Sequence, residues 1–132
     1  MSLRIKFKIV TPERTVFEDT IDQATLPVMD GEVTILPNHE PYIATLRAGE
    51  MIVKKDGKET SLAVSGGFIE LEKNKLTILA DTAERAEDID LERAEEARER
   101  AEELKLVAAI KKESARISVA MKHRTRYGIK IN

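Results

Sequence analysis

The interval at which apolar side chains recur changes once along this chain, between Ala80 and Arg100. Up to Ala80 they return at every second residue, the period of a half-buried strand. Beyond it they return at every third or fourth, the period of a helix with one buried face. A chain that keeps one period and then the other is restricted to a β-built body followed by a helical arm. The spacing therefore predicts a β domain followed by a helical domain, with the change inside that stretch.

Leu3, Ile5, Phe7 and Ile9 alternate with Arg4, Lys6 and Lys8, the pattern of a strand with one wet face. Similar short runs follow at 15–18, 21–28, 32–36, 42–46, 50–55, 58–65, 68–72 and 76–80. Pro12, Asp30-Gly31, the Pro37–Pro41 segment, Ala48-Gly49 and Lys73-Asn74 separate them. Asp56-Gly57, between two such runs, is the strongest hairpin signal of the chain. Gly66-Gly67 marks a bulge or a close backbone approach. Eight to ten short strands at this spacing point to a sandwich or barrel, and two packed sheets would bury the Ile, Val, Leu and Phe positions. With no tryptophan and few other aromatics, its core is aliphatic.

From 81 to 126 there is no glycine, proline or asparagine, and Ala, Glu, Arg, Lys and Leu dominate. Asp88 or Asp90 suits an N-cap, and Gly128 a stop. One apolar stripe is Leu91, Ala94, Ala97, Ala101 and Leu104; a second is Val107, Ile110, Ser114, Ile117 and Met121. The phase slips at Lys105 to Val107. Two forms follow, a helical hairpin bent there or one helix of about 36 residues, roughly 55 Å long. Both stripes are narrow and alanine-rich, so the arm is expected to dock only marginally. Residues 81–103 carry 4 basic and 11 acidic side chains, net −7, and residues 105–132 carry 8 basic and 1 acidic, net +7. Folded back, the two halves attract each other; extended, each is open to an oppositely charged partner.

Several chemistries are excluded or unsupported. The chain has no cysteine, which removes disulfides, thiol catalysis and cysteine-based zinc sites. No glycine-rich phosphate loop precedes a Lys-Ser or Lys-Thr pair. His39 and His123 stand far apart without metal-ligand spacing. No apolar run approaches the ~20 residues of a membrane span, and charge breaks up the first ten residues, so a soluble cytosolic protein is expected. The basic 105–132 segment raises a second reading, a small β domain whose helical tail binds nucleic acid. The acidic first helix, the net charge of −2 and the scarcity of stacking aromatics weigh against it. A third reading is a free-standing small-molecule binder: Arg93, Ala97 and Arg100 share a helix face that suits phosphate oxygens, or else forms salt bridges with Glu96.

Along essentially its whole length the chain resembles the epsilon subunit of the bacterial F-type ATP synthase. The residues that carry this are GEVTILPNHEP (31–41), LAVSGGFIEL (62–71), TILADTAERAEDID (77–90) and the helical tail. The resemblance implies a ten-stranded sandwich over 1–83 and a two-helix C-terminal domain within 84–132. It implies a non-catalytic rotor subunit that couples proton flow to ATP synthesis on the cytoplasmic face of the bacterial plasma membrane. The implied partners are the gamma subunit, the polar loops of the membrane ring and, with the arm extended, the alpha/beta catalytic head, where the arm inhibits ATP hydrolysis. Neither nucleic acid nor insertion into the membrane is implied. No cofactor is required, but some members of that family hold a regulatory ATP through a motif that stands here as IDLERA, 89–94. By position, Glu84, Ile89, Asp90, Arg93 and Ala94 are implied around adenine and ribose, and Arg100, Lys112 and Arg116 at the phosphates. Lys112 stands where an arginine is expected. Asp30, Glu32 and His39 match the loops that the family turns toward ring and gamma. Thr34 and Asn38 stand where glycines are usual; Asn tolerates a left-handed backbone far better than Thr, so an altered local turn is expected at Thr34.

Overall fold

The computed structural model describes residues 3–126. Eight strands lead into two helices: β1 (Ile5–Val10), β2 (Thr15–Ile21), β3 (Gln23–Val28), β4 (Gly31–Ile35), β5 (Tyr42–Thr45), β6 (Gly49–Lys55), β7 (Lys58–Glu72) and β8 (Lys75–Arg85), then α1 (Leu91–Glu103) and α2 (Val107–Arg126). A short 3₁₀ turn, Ala86–Asp88, joins body to arm. The strands hydrogen-bond in the order β2-β1-β8-β7-β6-β3-β4, with β5 on the second half of β7. All neighbours are antiparallel except β1 and β8. The runs at 58–65 and 68–72 are one continuous strand, β7.

That fusion makes the sandwich. The first half of β7 pairs with β6 and the second half with β5, so one strand serves both layers. Leu62 and Val64 face the core before the glycines; Ile69 and Leu71 face it after them. The change from even to odd positions needs the strand to turn over. Gly66 (φ +60) and Gly67 (φ +118) supply it, in a region that residues with a Cβ avoid. A Cβ on Gly67 would also collide with the Leu79 carbonyl. The first half of β7, ahead of the glycines, presents Ala63 outward, and the neighbouring stretch of β8 presents Glu84 beside it, toward the arm.

The main core is aliphatic as expected, with Ile5, Phe7, Ile9, Ile21, Leu26, Ile35, Leu46, Met51, Leu62, Ile69, Leu76 and Ile78 fully enclosed. Thr34 does not sit in a turn; it pairs with Thr25 across β3–β4, hydroxyl to hydroxyl at 3.0 Å. Asn38 adopts the left-handed conformation (φ 68) that a glycine would take at no cost, and Asn74 holds it by accepting from its backbone N–H and donating to its side chain.

The arm is a hairpin, not a rod. Asp90 caps α1, its carboxylate accepting from the Arg93 N–H at 3.2 Å. The bend falls at the phase slip. Leu106 N–H donates to the Ala101 carbonyl (2.9 Å) and Lys105 N–H to that of Glu102 (3.1 Å), with Lys105 left-handed at φ 56. This is a Schellman C-cap built without glycine. The expected stop at Gly128 lies outside the described residues.

The second apolar stripe is corrected by the structure. Val107 and Met121 are exposed, and α2 buries Glu113, Val119 and Ala120 instead. The helix packs on two neighbours, α1 and the β7–β6 face, so its buried surface is wider than one stripe and set off from it. Leu104 at the tip is likewise 68% exposed. A small second core joins arm to body: Ala63, Ala86, Ile89, Leu91, Val119 and Ala120, with Ile117 at its margin.

Candidate functional site

The residues expected to form a nucleotide site are divided by the fold. Glu84, Lys112 and Arg116 line one recess between β8 and α2, together with Arg14 from the β1–β2 turn. Ile89 and Ala94 are buried in packing. Asp90 is engaged as the α1 cap. Arg93 and Arg100 lie exposed on α1, away from that recess, and neither side chain has an ion-pair partner among the described residues. Glu96 pairs with neither; the one ion pair within α1 among the described residues is Arg98–Glu102, at 3.6 Å.

Arg116 is the best-placed charged group of the arm. Its Nε donates to Glu84 Oε2 at 2.8 Å and its NH2 to Glu84 Oε1 at 3.3 Å, a two-pronged grip on the strand. Its NH1 donates to Glu113 Oε1 at 2.6 Å, one turn back on α2. Burial alone would lower the guanidinium pKa, but the hydrogen bonds it donates to Glu84 and Glu113 outweigh it and raise the pKa above its ordinary value. Glu113 is only 5% exposed, and this cation is what makes its ionised burial tolerable.

Two further cations of α2 also pair with the body. Lys122 reaches Glu50 at 3.3 Å, and Arg126 reaches Glu59 at 3.5 Å. The basic half of the arm was expected to pair with its acidic half. Instead, apart from Arg116–Glu113 within the helix, the arginine and lysine ion pairs of α2 among the described residues reach Glu84, Glu50 and Glu59 of the sandwich, and the acids of α1 are exposed.

Asp30, in the β3–β4 turn, and Glu32, on β4, are exposed, and neither carries an ion pair among the described residues. His39 is held in place: its Nδ1 hydrogen-bonds the Glu40 carbonyl oxygen at 2.7 Å, and its ring packs edge-on to Tyr42 at 5.9 Å.

One surface was missed by reading the sequence. On the outer face of the sandwich the register sets Thr45 opposite Phe68, Phe68 opposite Leu79, and Leu79 opposite Val10. Ile43 lies two residues along the same face of β5. Ile43 (79%), Phe68 (58%) and Leu79 (47%) are exposed. Contiguous exposed apolar side chains of this kind mark an interaction surface. The available signal was the apolar residues left over at wet positions of otherwise alternating strands.

Comparison with known proteins bears on these surfaces. Residues 4–86 match the family model described as ATP synthase, Delta/Epsilon chain, beta-sandwich domain. The chain is 48% identical over 98 residues to the ATP synthase epsilon chain of Desulforamulus reducens, covering 74% of each. It is 42% identical over 131 residues to that of Chloroflexus aggregans, covering 91% of this chain and 94% of the relative. Among solved structures, a chain of the Euglena gracilis mitochondrial ATP synthase (OSCP/F1/c-ring) superposes with a TM-score of 0.72 at 22% identity, covering 95% of this chain and 83% of that one. A chain of the Tetrahymena thermophila mitochondrial ATP synthase central stalk and c-ring gives 0.55 at 11% identity, covering 64% and 69%. At those identities the two structures show a shared fold.

Proposed function

The chain belongs to the ATP synthase delta/epsilon family, and from that premise we propose that it is the non-catalytic rotor subunit of a proton-translocating F-type ATP synthase. In this role the sandwich is fixed to the gamma subunit and to the polar loops of the membrane ring, at the cytoplasmic face of the bacterial plasma membrane. It transmits ring rotation to the catalytic head and performs no bond chemistry of its own. The hairpin regulates ATP hydrolysis: docked, it leaves the head alone; released and extended, it offers its basic helix to the alpha/beta assembly.

The observation that carries the rotor reading is the exposed apolar row Ile43, Phe68 and Leu79. A sheet face with these residues in solvent is expected to be covered in the working protein, and a row crossing several strands suits the side of a long helix. Asp30, Glu32 and His39 supply the polar contacts to ring and gamma.

The test is co-purification of the full chain with gamma. Phe68→Glu is expected to weaken the complex by tenfold or more while circular dichroism stays unchanged, since Phe68 lies outside the core. Unchanged complex formation by both Phe68→Glu and Ile43→Glu would remove this face from the interface. For the arm, truncation after Asp88 is expected to raise ATP hydrolysis by the assembled enzyme. Unaltered hydrolysis would end the regulatory reading. Regulatory ATP belongs to the same proposal: bound only to the docked hairpin, it holds the arm down by its differential affinity.

A further inference from the structure

The last turns of α2 close over a small recess of about 170 Å3 at the base of the arm. β6 contributes Glu50 to it, β7 Glu59 and the 3₁₀ turn Glu87, while α2 contributes Lys122, His123 and Arg126. Among the described residues, no charged group of α1 lines it. Glu50 is held by Lys122 at 3.3 Å and by the Ser61 hydroxyl, which donates to it at 2.6 Å. Glu59 is met by Arg126 at 3.5 Å. Glu87 has no ion-pair partner among the described residues. Three carboxylates from three elements therefore face two permanent cations, and the third basic side chain is a half-buried histidine. With His123 neutral the recess keeps one negative charge in excess; with His123 protonated its charges balance.

That setting exists only while the arm is docked. Glu50 and Glu59 belong to the sandwich, whereas Lys122, Arg124 and Arg126 travel with His123 on its own helix. A proton on His123 is repelled by those neighbours in either position of the arm, and is attracted by the body's carboxylates only in the docked one. Histidine is the side chain whose charge ordinarily changes between about pH 5 and 8. The chain has two. The other, His39, lies in the β4–β5 loop and bonds the Glu40 carbonyl oxygen.

We propose that His123 makes the docking of the arm pH-sensitive. Protonated, it balances Glu50, Glu59 and Glu87 and holds the hairpin on the sandwich; neutral, it leaves the excess carboxylate in place and the hairpin opens more readily. The sign follows from linkage. The docked arm offers the proton partners that the released arm lacks, so protons stabilise docking. That stabilisation is present at the acid end of the histidine range and is lost as pH rises through it. The effect on ATP hydrolysis, with the arm freed at higher pH, rests on the regulatory reading of the arm; the effect on docking does not.

The experiment is amide hydrogen exchange of the isolated full chain near about pH 6 and about pH 8 at fixed salt, each amide referred to its intrinsic rate at that pH. The opening equilibrium of α1 and α2 is expected to be roughly threefold or more larger at the higher pH, with the strands of the main core unchanged. His123→Gln is expected to abolish this difference, and His39→Gln to leave it. Glu87→Gln, which removes the excess carboxylate, is expected to shrink the difference and to tighten docking at the higher pH. His123→Lys, charged at both, is expected to dock equally at both. An arm that opens equally at the two pH values in the parent chain overturns the proposal, and so does a difference that survives in His123→Gln. A difference that follows His123, beside ATP hydrolysis that does not respond to truncation after Asp88, upholds the pH-sensitive contact and removes the regulatory reading.

Discussion

Arg116 shows what single side chains decide in this molecule. It joins α2 to β8 and holds Glu113 inside the arm's contact with the body. Arg116→Met removes the cation and leaves Glu113 enclosed with no counter-charge. The arm's docking is expected to weaken by about 1–3 kcal/mol, less than for a fully buried pair because Glu84 is partly wet. Amide exchange should quicken in α1 and α2 and stay unchanged in the strands; equal exchange in the arm would mean that the pair contributes nothing. Hydropathy could not reveal this group, since a glutamate scores as solvent-facing. The trace it left was the three-residue spacing of Glu113 and Arg116. Asp90, by contrast, was legible, because an aspartate before a helical apolar period is a cap signal whatever surrounds it. Asp19 offers a pH test. Its hydrogen bond from Lys55, and then that from the Thr20 N–H, hold its carboxyl below the ordinary value. A lowered carboxylate pKa adds stability above the unfolded value near 3.9, and that stability is lost as pH falls through the folded value. Both partners are over a third exposed, so the gain is under about 1 kcal/mol. Asp19→Asn should therefore be slightly less stable than the parent at neutral pH and equal to it near about pH 2. An undiminished gap at acid pH would contradict the assignment.

At the scale of elements, turn chemistry and alternation located most strands to within a residue or two, and the exceptions have physical causes. Gly66-Gly67 was readable as a bulge, but not as the place where one strand passes between layers, because that depends on β5 and β6 pairing with different halves of β7. β8 runs to Arg85, past the expected end at Ala80, since β7 continues beside it and satisfies its backbone. This places Glu84 on a strand. The hairpin bend had no glycine to announce it; only the slipped phase did. Lys105 takes the left-handed conformation there, which costs a residue with a Cβ roughly 1–2 kcal/mol. Lys105→Gly is thus expected to favour the hairpin over the extended arm by about 1 kcal/mol. Distance distributions between spin labels at Glu92 and Lys122 would show a larger close population. An unaltered distribution would mean that Lys105 carries no strain.

At the scale of the molecule, two cores of unequal strength meet. The sandwich encloses large aliphatic side chains in both layers, whereas the arm rests on a small cluster half composed of alanine. Burying alanine gains far less than burying leucine or isoleucine, at about 25 cal/mol per Å2 of apolar surface. The ion pairs that help hold the arm, Arg116–Glu84, Lys122–Glu50 and Arg126–Glu59, are partly wet and screened by salt. The imbalance was legible as alanine-rich stripes, but the electrostatic partner was not. Charge counts along a sequence cannot say whether a basic helix meets its acidic neighbour or a third element, and here the sandwich prevails. The account depends on the arm being held much more weakly than the body. Hydrogen exchange on the isolated full chain, without nucleotide, tests this most directly. Amides of α1 and α2 are expected to exchange through openings several kcal/mol easier than those of β1, β7 and β8, and faster still as salt is raised. Equal protection of arm and strands, insensitive to salt, would contradict it.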